Sequence, residues 1–385
     1  MFRICGGAST GRSISDSAAV LAPVRRGPRL RRLAATAGAA ILAILFAPPA
    51  ARAQQQPGRL QIRLDASEPE AVLAILARRQ AGQVVDSEDW RRLFATEPYR
   101  RLKAREASMG RAFTDADFRQ FVLSDTLLAR AGDLRETLAD WRRADLTAAA
   151  GRAFAYLPPD AVIRATVYPV IKPQTNSFVF EATTDAAIFL YLNPSETEPQ
   201  FENTVAHELH HIGYASVSAR FDSSIAGLSP DAHAAAEWMG AFGEGFAMLA
   251  AAGGPDVHPH AVSPPEERAR WDRDVANFGR DLPVLERFFL DVASGRLRTP
   301  EDRQRVAMSF FGVQGPWYTV GWKMAVVIER RFGRDRLILC MLDPRALLVS
   351  YNQAAAELNR AGGEQLPLWS NQLLQVIGAR DAAGR

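Results

Sequence analysis

The chain has 385 residues, 48% of them apolar and 23% charged, with a formal charge of +3 and a sequence pI of about 9.0. The basicity is local: residues 1–53 hold eight Arg against one Asp, a charge of +7, which leaves −4 for everything after them. The basic pI therefore reflects this segment and is no argument for nucleic acid, which is not expected as a partner. With Cys5 inside the basic segment and Cys340 alone beyond it, an internal disulfide is excluded as well.

The first 53 residues have the pattern of an export leader. Arg25, Arg26, Arg29, Arg31 and Arg32 precede the mostly apolar run Leu33–Phe46, and Ala51-Arg52-Ala53 supplies a small-residue cleavage site. A spanning helix needs about 20 apolar residues, so this run is too short to be one. The expectation is a signal peptide cut near Ala53. The mature chain would then be periplasmic or secreted from a bacterium, without a transmembrane segment. About 330 residues remain, enough for one large core or two smaller ones.

Gln54–Gly58 reads as a short linker. From there to residue 154 apolar residues recur at three and four positions with Arg, Asp and Glu between them. The pattern predicts helices over Ala71–Arg79, Ser87–Phe94, Tyr99–Met109, Asp115–Leu128 and Leu134–Ala149. This N-terminal helical lobe (residues 54–154) carries no chemical constellation. After Leu157-Pro-Pro-Asp160 the period changes. Ala161–Val170, Ser177–Phe180 and Ala186–Leu192 are rich in Val, Ile, Phe and Tyr, and they read as strands of a small sheet. One edge of that sheet could pair with an extended peptide. Residues 155–385 are expected to form the functional domain, and the fold class is α+β, predominantly helical.

Ser195 and Glu198 suggest a capping box opening the next helix, which Gly213 is expected to close. This helix holds His207-Glu208-Leu-His210-His211, three of the chain's six His within five positions. Residues four apart share a helix face, so His207 and His211 can aim at one metal ion, while Val205, Leu209 and Ile212 give an apolar side to bury. Glu208 sits about 100° around the helix from His207. From there it can take a proton from a water on the metal. His-Glu-x-x-His is the metalloprotease signature.

A catalytic zinc needs a third protein ligand and an open position. The next predicted helix starts at Ser229-Pro230 and closes at Gly253-Gly254. It carries Glu237 and Glu244, a heptad apart, so either can face the same partner. Glu244, set among Gly243, Gly245, Phe246 and Ala247, is the leading candidate. Glu237 is the alternative, and His210, His233, His258 and His260 remain open. Gly240, Gly243 and Gly245 would let this helix approach the metal helix closely.

These segments together resemble the gluzincin metallopeptidases. In the zinc aminopeptidases of that clan the second helix similarly carries Glu-Gly-Phe-Ala, here Glu244–Ala247. The resemblance is closer to secreted bacterial zinc peptidases with His-Glu-x-x-His, Glu-Gly-x-Ala and a later Tyr-x-x-Gly, here Tyr318 to Gly321. It implies a Zn²⁺ held by His207, His211 and Glu244, Glu208 as catalytic base, and a peptide or protein substrate. Thirty-two residues separate His211 from Glu244, and no Gly-x-Met-Glu-Asn segment is present to grasp a free amino terminus. The resemblance therefore stops short of aminopeptidase specificity. Tyr318 opens a predicted helix at Gly315-Pro316 and could donate to a developing oxyanion, or serve as a core aromatic beside Trp317 and Trp322. The alternative function is a non-enzymatic envelope protein that keeps zinc for structure or partner binding. Further starts are expected at Ser263-Pro264, Asp281-Leu-Pro283 and Thr299-Pro300, and core helices over Leu337–Leu342, Ala346–Leu358 and Leu366–Ile377.

Overall fold

The computed structural model describes residues 58–362 and 364–379; the expected leader, residues 1–53, lies outside them. The N-terminal part runs β1 (Leu60–Leu64), α1 (Ser67–Gln80), α2 (Ser87–Ala95), α3 (Glu97–Ser108), α4 (Asp115–Val122), α5 (Asp125–Ala129), α6 (Ala131–Trp141) and α7 (Leu146–Phe154). Then come β2 (Ile163–Val170), β3 (Phe178–Phe180), β4 (Ala186–Tyr191), α8 (Glu198–Ala215), α9 (Ser218–Ile225), α10 (Pro230–Met239), a 3₁₀ turn (Gly240–Phe242) and α11 (Gly243–Ala252). The C-terminal third is helical: α12 (Pro265–Ala276), α13 (Phe278–Ala293), α14 (Pro300–Ser309), α15 (Pro316–Phe332), α16 (Arg334–Met341), α17 (Pro344–Arg360) and α18 (Asn371–Val376). The fold is α+β and predominantly helical. No helix among the described residues is long and apolar enough to cross a membrane.

The sheet has the order β1-β2-β4-β3, parallel except for β3, which pairs antiparallel to β4. Both faces of β2 and β4 are covered. Ile163, Ala165, Val167, Ile188 and Leu190 enter the main core, whereas Tyr168, Val170 and Phe189 pack on Leu102 of α3 and Phe178. That two-sided burial explains their nearly continuous apolar sequence. The edge strand β1 alternates instead, with Leu60, Ile62 and Leu64 half-buried and Gln61 and Arg63 exposed. This period-2 signal is a strand inside the stretch that precedes the predicted helices, and the helical reading passes over it.

Several helix boundaries differ from expectation for local reasons. The two long helices predicted over 115–128 and 134–149 each break where a side chain caps a new start. Ser124 Oγ accepts from Leu127 N–H, and Asp145 accepts from Ala148 N–H. The cap of helix α8, Thr197, lies two residues beyond the expected one: Gln200 Oε1 accepts from the backbone N–H and the hydroxyl of Thr197, both at 2.9 Å. It also runs through Gly213 to Ala215. Gly213 is there for a close approach, since a Cβ would stand 2.2 Å from Leu157 Cδ1. Asp281 does not start a helix, because α13 opens at Phe278 and takes Pro283 inside it. Thr299 caps α14 as expected, accepting from Asp302 N–H.

The single helix expected over 230–252 is two helices joined by the 3₁₀ turn at Gly240–Phe242, and Gly253, at φ +91°, closes the second in the left-handed region. The glycines also act differently from expectation. A Cβ on Gly243 would meet nothing within 4 Å, and on Gly240 only Phe221 at 3.6 Å. Gly245 makes the close approach, but to α15 and not to α8: its Cβ would lie 2.0 Å from Trp322 N and 2.6 Å from Tyr318 O. Gly321 answers from the other side, where a Cβ would stand 2.6 Å from Phe242 O. Helices α11 and α15 thus cross backbone to backbone.

Candidate metal centre

Helix α8 packs on α7, β2 and α11 through Phe201, Val205, Leu209 and Ile212, all buried in the main core. With those residues held in the core, His207 and His211 lie on another part of the helix circumference, toward Glu244 of α11. There Glu244, in the first turn of α11, meets them. His207 Nε2 and His211 Nε2 are 3.0 Å apart, and each is 3.2 Å from Glu244 Oε2. Among the described residues these three form the group of His, Cys, Asp and Glu that could hold a metal ion.

The donor set fits zinc. Three ligands at about 2.0–2.2 Å from a tetrahedral zinc would stand about 3.3 Å from one another, close to the separations of 3.0–3.2 Å here. The electrostatics point the same way. Burial opposes charge on His211, but the Glu244 carboxylate overrides it and pushes its pKa up to about 9. Burial likewise opposes charge on Glu244, and the two imidazoles hold it well below the usual carboxylate range. The carboxylate and the imidazoles thus favour each other's charged forms, and a divalent cation held between them would supply positive charge to the buried carboxylate in the same way.

Glu208 lies half-buried beside the cluster, where its charge reaches both His211 and Tyr318. Tyr318, on the first turn of α15, lies nearly parallel to the His207 ring, with centroids 6.3 Å apart and planes at 17°. Burial, followed by the charges of Glu244 and Glu208, raises its pKa, so its hydroxyl stays protonated. Trp317, its neighbour, is instead fully buried in an aromatic cluster with Phe242, Phe288 and Phe289.

The other candidates are elsewhere. Glu237 is on α10, with its carboxylate 3.9 Å from His233 Nδ1. His210 is buried and is not one of the three grouped ligands; burial and the neighbouring imidazoles push its pKa down to about 3, so it is neutral. His258 pairs with Asp272 at 2.9 Å, and His260 contacts Ser263 at 2.9 Å. Sequence reasoning did not single out Glu196. It precedes α8, and its carboxyl accepts from Thr204 Oγ at 3.2 Å. Burial, outweighing that bond and joined by the charge of Glu267, raises its pKa to about 7. A lone Glu in a Pro/Ser/Thr loop carries no sequence signal for this.

No curated protein and no solved structure matches the chain. A family model does, over residues 90–360, and its description is "putative zinc dependent peptidase". That span contains α8, α11, α15 and the whole cluster, and it covers well over half of the sequence. The chain belongs to the family of putative zinc dependent peptidases, DUF5700.

Proposed function

We propose that this protein is an exported zinc peptidase of the gluzincin type, in which His207, His211 and Glu244 hold the ion. The observation that carries the reading is the convergence of two imidazole nitrogens from α8 and one carboxylate oxygen from α11 at zinc-like spacing, with the Glu208 carboxylate beside them. When bound, zinc supplies Lewis acidity toward a carbonyl and lowers the pKa of water. Glu208 takes the proton of the attacking water on its carboxylate and delivers it to the leaving amine. Tyr318, kept protonated, donates its hydroxyl to the oxygen on which negative charge develops. The aromatic wall of Trp317 and its partners fixes the start of α15, and with it the position of that hydroxyl.

The test is zinc content beside peptide turnover. The protein should bind about one zinc per chain, a stoichiometry kept by Glu237→Ala and lost by Glu244→Ala. Glu208→Gln should keep zinc and lose turnover by roughly 10²-fold or more. A folded protein that takes up no zinc, or a Glu208→Gln variant of full activity, would defeat the reading.

A further inference from the structure

The turn that joins α14 to α15, residues 310–315, stands next to Tyr318 and has no part in the chemistry above. No charged residue occurs between Arg305 and Lys323, although 23% of the chain is charged. Two residues of the turn lie in the left-handed region, Gly312 at φ +48° and Gln314 at φ +62°. Gln314 is one of two non-glycine residues with positive φ among those described, a conformation that persists only where the surroundings impose it. Here they do. Gly315 N–H donates to Phe311 O at 2.6 Å, and Trp317 N–H to Phe310 O at 3.3 Å. A Cβ on Gly315 would stand 2.6 Å from Phe310 O, so a larger residue does not fit there. Phe310 packs edge-on against both Trp317 and Phe288 at 5.6 Å. Backbone and rings together fix the turn before anything binds.

What the turn presents is apolar and open. Val313, at its tip, is 60% exposed. Phe311 is half-buried, and its ring meets Trp317 at 6.3 Å and Tyr318 edge-on at 6.4 Å. Tyr318 in turn lies along the His207 ring, so Phe311 is two ring contacts from a candidate metal ligand. About four residues of extended peptide span that separation. A single exposed valine is ordinary on a protein surface. One held out by a strained turn, beside a half-buried phenylalanine at the rim of the metal centre, is not explained by packing. A turn already in its final shape has little loop entropy to lose when a ligand covers it, so more of the apolar contact is realised as affinity.

We propose that Phe311 and Val313, with the edge of the Tyr318 ring, form a specificity subsite for a bulky apolar side chain of the substrate, within about three residues of the cleaved bond. The uncharged turn offers no partner to a Lys, Arg, Asp or Glu side chain, whereas its exposed apolar atoms gain from being covered by Leu or Phe. The proposal rests on the peptidase reading above for what is bound, but binding can be measured without turnover.

Three capped peptides of equal length and charge, identical except for a central Phe, Leu or Ser, are titrated into the zinc-loaded Glu208→Gln protein. Binding is followed by the fluorescence anisotropy of a terminal dye. The Phe and Leu peptides should bind about tenfold tighter than the Ser peptide, the effect of covering a large part of an apolar side chain. Adding Val313→Ser should cut the preference to about threefold or less, and Phe311→Ala should act in the same direction. Val313 is exposed enough for its replacement to leave the fold intact, which circular dichroism checks. Leu339→Ser, which removes a 52% exposed leucine from α16, should leave the preference unchanged. Equal binding of all three peptides, a preference untouched by both turn substitutions, or one lost equally in Leu339→Ser would overturn the subsite. So would a parent protein that sediments as a dimer and a Val313→Ser variant that sediments as a monomer, since a second copy would then cover the turn. A preference removed by Val313→Ser, with no cleavage of any of the three peptides by the unmutated, zinc-loaded protein, would instead count against the peptidase reading and leave the subsite standing.

Discussion

Gly245→Ala tests whether the crossing of α11 on α15 sets the metal centre. The added Cβ would stand 2.0 Å from Trp322 N, 2.4 Å from Gly321 C and 2.6 Å from Tyr318 O, where ordinary contact begins at 3.4 Å. All three are backbone atoms, so no rotamer change relieves the clash and the two helices must separate by roughly 1 Å along this seam. Overpacking of this kind costs about 1–3 kcal/mol and occasionally more, and rigid neighbours favour the upper end. The helix preference of Ala over Gly returns about 1 kcal/mol. The net expectation is a loss of about 2 kcal/mol, a fall in Tm of roughly 3 °C for a chain of this size. Because Glu244 precedes Gly245 and Tyr318 lies on the displaced helix, zinc affinity should fall too, on the order of tenfold or more. Differential scanning calorimetry and a competitive zinc chelator measure both. Gly243→Ala is the control: its Cβ meets nothing within 4 Å, and it should match or exceed the parent in stability. If Gly245→Ala melted and bound zinc like Gly243→Ala, the crossing would not control the site.

Two further outcomes are expected. Tyr318→Phe should retain zinc and KM while kcat falls about 10²-fold, the scale for removing one oxyanion donor; an unchanged kcat would return Tyr318 to a purely packing role. Glu196 has a folded pKa of about 7 against an ordinary 4.5, so the native state holds its proton more tightly than the unfolded chain. Its contribution to stability is complete below pH 4.5 and declines as pH rises through 7. Glu196→Gln, which cannot ionise, should therefore match the parent near pH 4 and exceed it by about 3 kcal/mol at pH 8, read by urea unfolding. A gap of equal size at both pH values would contradict this.

The residues of the candidate centre were legible because their geometry is local. His207 and His211 are four apart on one helix, and Glu244 was marked by small and apolar neighbours that leave a carboxylate no surface role. What the sequence did not reveal depends on which elements meet. A glycine announces close approach but not its partner, so Gly245 reads equally well against α8 or α15. Only the packing of Trp322 and Gly321 decides. Helix starts failed where two caps competed: Ser195-x-x-Glu198 and Thr197-x-x-Gln200 overlap, and Thr197 prevails. Glu196 was missed for the same kind of reason, since the acidic neighbour that acts on it, Glu267 of α12, is about seventy residues downstream. The strand β1 was visible as alternation over Leu60, Ile62 and Leu64, but five residues weigh little against the helical periodicity that follows.

That strand has a consequence for how the molecule assembles. Leu60 pairs with Ile163, so the parallel β1–β2 ladder closes a loop holding seven helices. Contacts between such distant segments form late and slowly, and until they form β2 keeps a bare row of backbone donors and acceptors beside apolar side chains. A fragment cut at residue 155 would carry that bare row permanently, a template for sticking to its own copies. The N-terminal helices then serve the rest of the chain in time as well as in space, since they deliver the strand that seals β2 before another molecule can.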